Sequence, residues 1–171
     1  DYVATVLDAW VSRYLPERTT GREGPSLQPG EVRVRETGLG RFANEVWASG
    51  HRLAADEPAS SGGTDTGPSP YDYLLAGLGA CTSMTLRMYA EHKGLPLDGV
   101  DVTLGHEKVH AKDCADCEHT EGRIDRIERR IALAGDLTEE QRARMIEIAD
   151  RCPVHRTLTG IIEIKTNESR E

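Results

Sequence analysis

Two of the four cysteines stand where a helix could tune them, and the other two stand among histidines. Cys152 precedes Pro153, and proline suits a first helical position because its missing N–H would find no partner there. That places Cys152 at the N-cap of a short helix, Val154-His-Arg-Thr-Leu, where unpaired amides and the helix dipole favour a thiolate. Arg151, His155 and Arg156 could add positive charge. Cys81 lies about three turns into a longer helix. Free cysteines are often small buried apolar residues, and spacing alone leaves both readings open.

The second cluster is His106-x3-His110-x3-Cys114-x2-Cys117-x-His119. A Cys-x-x-Cys pair with nearby histidines can form a tetrahedral zinc site, and Cys114, Cys117, His110 and His119 are the candidate ligands. On a strand, His106, Lys108 and His110 fall on one face, which supplies histidines from one side but sets a lysine charge between them. Lys112, Asp113, Asp116 and Glu118 give the segment the character of a solvated hairpin tip, so a redox dithiol or an inert turn competes with metal.

The elements that must hold these groups come from the wider pattern. Ser69, Pro70 and Asp72 predict an N-cap, a first turn and a capping box with a carboxylate in place of the usual Glu. From Tyr73 to Met88 the residues are apolar or small nearly all round, the mark of a buried helix, and Gly77 and Gly79 suggest that something packs very close. Thr138 and Gln141 form a second capping box, and Met145, Ile148, Ala149 and Cys152 share one face of the helix that follows. Alternation predicts half-buried strands at 31–37, 42–48, 51–55, 100–110 and 124–133, and a closing strand at 161–166. Strands grouped around two helices, without βαβ alternation, indicate an α+β fold.

At 171 residues, one domain with a short appendage is expected. Residues 1–15 carry Val3, Val6, Leu7, Trp10 and Tyr14 at helical spacing; 16–30 is a polar Gly/Pro-rich linker; 31–171 is the main domain. A net charge of -8 argues against a nucleic-acid partner. No run approaches the roughly 18 apolar residues of a membrane span. Four cysteines at this length make no disulfide scaffold, which favours a cytoplasmic setting with thiol or metal chemistry.

Gly67-Pro-Ser-Pro-Tyr-Asp-Tyr-Leu-Leu-Ala-Gly-Leu-Gly-Ala-Cys81 resembles the first cysteine motif of the OsmC/Ohr family, the osmotically inducible and organic-hydroperoxide-resistance proteins, and Ile148-Ala-Asp-Arg-Cys152-Pro-Val-His resembles the second. Asp56-Glu-Pro and Gly62-Gly63 resemble the OsmC-like branch. The resemblance implies an OsmC-like fold, antiparallel sheets around two central helices in an intertwined homodimer, and a peroxidase acting on bulky organic hydroperoxides. It implies that Cys81 attacks the peroxide, that Cys152 resolves the sulfenic acid to a disulfide, and that an external dithiol reduces it, with no cofactor required. It places Arg41 as the arginine that holds the thiolate. The family's orienting glutamate would fall at Tyr71; Asp72 beside it, or more weakly Glu57, is the acid available. That departure favours two alternatives: a non-catalytic module binding an apolar ligand, or a metal-binding or structural appendage. The first 15 residues resemble the last helix of an α/β-hydrolase, as in hydrolase–OsmC fusion proteins.

Overall fold

The structure, a computed structural model, describes residues 24–110 and 123–169. The expected N-terminal helix lies outside them. The chain divides into two compact units, between Pro68 and Ser69.

The first unit is a three-stranded antiparallel meander: β1 (Val32–Glu36), β2 (Asn44–Ala48) and β3 (His51–Ala55), in the order β1-β2-β3. Val34 sits opposite Val46, and Val46 opposite Leu53. Ser49 and Gly50, both at positive φ, turn the β2–β3 hairpin. β1 was expected to be half-buried, but all five of its residues are exposed within this chain. Its alternation therefore marks an apolar face that the described residues leave uncovered. The loop after β3 is organised by Asp56, whose buried carboxylate accepts from the Thr64 and Thr66 hydroxyls and from the amides of Glu57, Thr64 and Thr66. These donors, the Thr64 hydroxyl foremost, hold the Asp56 carboxyl well below the usual carboxylate range. Gly63 is required in this loop because a Cβ there would meet the Glu57 carbonyl oxygen at 1.8 Å.

The second unit contains α1 (Pro70–Lys93), β4 (Gly99–His110), β5 (Arg123–Ala134), α2 (Glu139–Ala149) and α3 (Pro153–Leu158). β4 and β5 form a long antiparallel hairpin running from Gly99↔Ala134 to His110↔Arg123. Both expected capping boxes form: Ser69 with Asp72 opens α1, and Thr138 with Gln141 opens α2. Gly94, at φ 61, ends α1 in the left-handed conformation that glycine adopts at least cost. The core gathers Leu86, Ala90, Leu97, Leu137, Met145, Ile148 and Ala149, with Ile131 and Leu133 packed against it. The architecture is α+β, antiparallel strands with few helices, as expected.

Within the single chain α1 is buried along one stripe, Leu78, Thr82, Leu86 and Ala90, while Met84 is 66% and Met88 70% exposed. One side of the helix packs on β4, α2 and α3. The expectation corrected here is the closing strand: the segment 161–166 forms no strand. Ile161 is 104% and Ile164 84% exposed. A strand needs a neighbour to pair with its backbone groups, and among the described residues this segment has no ladder partner.

Candidate active site

Cys81 and Cys152 are both free thiols; Cys81 is partly exposed and Cys152 fully buried. Cys81 borders the exposed side of α1 that carries Leu74, Met84 and Met88. Gly79, two residues earlier, faces inward, where a Cβ would meet Leu104 Cδ1 of β4 at 2.9 Å. Gly77 faces open space, with no atom within 4 Å of its Cβ position. The close approach inferred from the two glycines is thus made within the chain at Gly79 only.

Cys152 is the N-cap of α3, with extended φ/ψ of -63° and 141°, as Pro153 at the first helical position demands. Its Sγ accepts from the His155 amide at 3.3 Å and lies 3.7 Å from Thr82 Oγ1. Thr82 is the residue after Cys81, so α1 meets the second thiol one position away from the first. A cation that does not flank Cys152 in sequence is hydrogen-bonded at this contact. Arg129 of β5 donates from Nη1 to Thr82 Oγ1 at 2.9 Å and to the Ala149 carbonyl at 3.2 Å, and from Nη2 to Asp150 Oδ1 at 2.6 Å. Sequence reading missed Arg129, although its signal was present. Ile127, Arg129, Ile131 and Leu133 fall on one strand face at period two, and a cation in that apolar row needs a buried partner.

The other sequence candidates sit apart from this contact or within the first unit. Asp72 Oδ2 accepts from the Ser69 amide at 2.8 Å and the Ser69 hydroxyl at 2.7 Å, and these bonds hold its carboxyl below its ordinary value. Nine residues of helix set Asp72 about 13.5 Å along the axis from Cys81, out of direct contact with that thiol. Arg41, in the first unit, lies over the Phe42 ring with its Cζ 4.8 Å from the centroid. Glu57, also in the first unit, donates its amide to Asp56 Oδ1 at 2.8 Å.

Tyr71 is stacked on His106 of β4, ring centroids 4.2 Å apart, and His106 Nε2 lies 2.8 Å from Asp125 Oδ1 of β5. His106 is therefore engaged with α1 and β5. His110 ends β4, and Cys114, Cys117 and His119 lie outside the described residues, as does the metal set they were expected to form. Among the described residues no group of three or more His, Cys, Asp or Glu is placed to hold a metal ion.

A cavity of about 510 Å³ opens beside the Arg129 network, lined by Leu78, Ile127, Ile131 and Ile146 with Asp150 and His155 at its polar edge. No helix among the described residues is long and apolar enough to cross a membrane.

Comparison with solved structures finds the same fold in an organic hydroperoxide resistance protein of Legionella pneumophila. The TM-score is 0.58 at 19% identity, covering 79% of this chain and 92% of that one. An OsmC-like protein of Mycoplasma pneumoniae aligns with TM-score 0.56 at 19% identity, covering 77% and 87%. The organic hydroperoxide resistance protein of Bacillus subtilis aligns with TM-score 0.54 at 18% identity, covering 76% and 90%. A search of curated protein sequences finds no match. Residues 63–167, more than half of the chain and both cysteine motifs, match the sequence model described as OsmC-like protein. The chain belongs to the OsmC-like protein family.

Proposed function

We propose that the protein reduces organic hydroperoxides with a two-cysteine cycle. The observation that carries this reading is the contact between Thr82, next to Cys81 on α1, and the Cys152 sulfur at the head of α3. One thiol is accessible at the helix edge and the other is buried beside the same helix turn. In the cycle the Cys81 thiolate attacks the terminal peroxide oxygen, the O–O bond breaks, and the leaving alkoxide takes a proton from solvent to depart as the alcohol, with Cys81 as sulfenic acid. The Cys152 thiol then displaces the sulfenic hydroxyl as water, forming the Cys81–Cys152 disulfide. An external dithiol restores both thiols, so no cofactor is required. Arg41 is the proposed partner of the Cys81 thiolate and Asp72 the acid that orients Arg41. The exposed apolar side of α1, β1 and the unpaired 161–166 segment support a homodimer, and the setting proposed is cytoplasmic.

The test is to add one equivalent of an organic hydroperoxide to the reduced protein and follow Cys81 by peptide mass spectrometry. Loss of the Cys81 thiol with a Cys81–Cys152 disulfide is expected, and Cys152→Ser should accumulate Cys81 as sulfenic or sulfinic acid. A Cys81 that stays reduced sinks the reading. The stacked Tyr71, where the family's acid is expected, favours a second one: a binding module for an apolar ligand, which would retain ligand affinity without turnover.

A further inference from the structure

We infer that Thr82 and Arg129 are positioning residues for the Cys152 thiol, and that the Thr82 hydroxyl switches from acceptor to donor as that sulfur becomes a nucleophile. The inference rests on the assignment of Cys152 as the resolving thiol. Its basis is a count of the hydrogen bonds at one buried oxygen.

A threonine hydroxyl has one proton and two lone pairs. Thr82 Oγ1 lies 2.8 Å from the Leu78 carbonyl, which can only accept, so the single proton goes there. Arg129 Nη1, 2.9 Å away, can only donate, so it occupies one lone pair. One lone pair remains, and among the described residues the other polar neighbour of this oxygen is Cys152 Sγ at 3.7 Å. The S–H therefore donates to Thr82, while the sulfur accepts from the His155 amide. This arrangement suits a protonated thiol.

When Cys152 gives up its proton during attack, the sulfur can no longer donate, and the Thr82 lone pair facing it would repel it. The relief available is rotation of the Thr82 hydroxyl from the Leu78 carbonyl to the sulfur. The Leu78 carbonyl still has the α1 backbone bond four residues on, so the switch strands no buried group. Arg129 stays on the oxygen throughout, anchored by Asp150 and the Ala149 carbonyl, and its charge polarises the hydroxyl as a donor. The pair thus fixes where the sulfur sits and supplies a hydrogen bond that strengthens as negative charge develops.

The test uses an aryl disulfide that releases a coloured thiolate, with Cys114 and Cys117 replaced by Ser in every variant. In the first phase Cys81 displaces one aryl thiolate and becomes a mixed disulfide. In the second, Cys152 attacks the Cys81 sulfur, the S–S bond to the aryl group breaks, a second aryl thiolate leaves and the Cys152 proton passes to solvent. Thr82→Val, which keeps the shape and removes the hydroxyl, should lower the ratio of second-phase to first-phase rate by about tenfold, the low end for a hydrogen bond to a charged group. Arg129→Gln should lower it by a smaller factor, and Thr82→Ser should restore most of it. An unchanged ratio in Thr82→Val, or a loss in Thr82→Ser as large as in Thr82→Val, overturns the inference. If Thr82→Val does not fold, an unchanged ratio in Arg129→Gln overturns it. No peroxide is present, so a failed peroxidase reading shows separately, as a Cys81 that resists hydroperoxide while still exchanging with the aryl disulfide.

Discussion

Replacing Arg129 by Met should destabilise the fold by about 2–3 kcal/mol, and most of that cost should come from its neutral partners, not from its ion pair. Arg129 is 12% exposed at the side chain and Asp150 61%. The pair is therefore half in water, where such bridges contribute about 0.2–1 kcal/mol. Thr82 and Ala149, by contrast, are fully buried, and each receives a hydrogen bond from the guanidinium. A hydrogen bond to a charged group is worth about 1.5–3 kcal/mol net, and the low end is taken for each bond here. Two such bonds dominate the sum. Loss of the Ala149 bond is softened because the Cys152 amide also donates to that carbonyl, at 3.3 Å. Met preserves the apolar stem among Ile127 and Ile131, so lost packing adds little. Asp150→Asn removes the charge that faces Arg129 and, at 3.9 Å, His155 Nδ1, keeps an acceptor oxygen, and should cost about 0.5 kcal/mol. Urea unfolding followed by circular dichroism, at one fixed protomer concentration because any dimerisation would add to stability, gives both values. If Asp150→Asn costs as much as Arg129→Met, the guanidinium is held by its charge partner and the reasoning is wrong. The same holds if Arg129→Met stays within about 0.5 kcal/mol of wild type.

Gly77→Ala tests the proposed dimer. Within the chain the added methyl meets open space and should improve helix propensity by about 0.8–1 kcal/mol; if a second copy packs on this side of α1, the dimer should instead dissociate at higher protein concentration, as read by sedimentation velocity. Leu86→Ala, at a side chain with no exposure, should cost about 2–5 kcal/mol in the same urea experiment; a cost below about 1 kcal/mol would contradict the assigned core. Asp56 should supply acid sensitivity. Its carboxyl is depressed in the folded state, first by the Thr64 hydroxyl, so its stabilisation is complete above the unfolded value near pH 4 and is lost as pH falls below that value. Asp56→Asn should lower the melting temperature at pH 7 and flatten its decline below about pH 4; a parallel decline in both proteins would refute the assignment.

The helix caps and the cysteine contexts were legible in the residues themselves. Ser69 with Asp72, Thr138 with Gln141, and Cys152 ahead of Pro153 each act within one turn, so local chemistry was enough to place them. Period-two alternation likewise located β4 and β5, because side-chain direction along a strand is a local property. Alternation could not say whether a face has a partner. Val32 and Val34 of β1 and the isoleucines at 161–164 carry the same pattern as covered strands, yet are exposed in this chain. Nor could it pair residues distant in sequence. Arg129 meets Thr82 across 47 positions and Tyr71 meets His106 across 35, and both contacts arise from how the β4–β5 hairpin lies against α1. Sequence alone thus determined the two thiols and the elements that carry them, because spacing and capping act locally. The hydroxyl and guanidinium that surround the second thiol were decided by tertiary structure, since only packing brings side chains from separate elements to one buried oxygen.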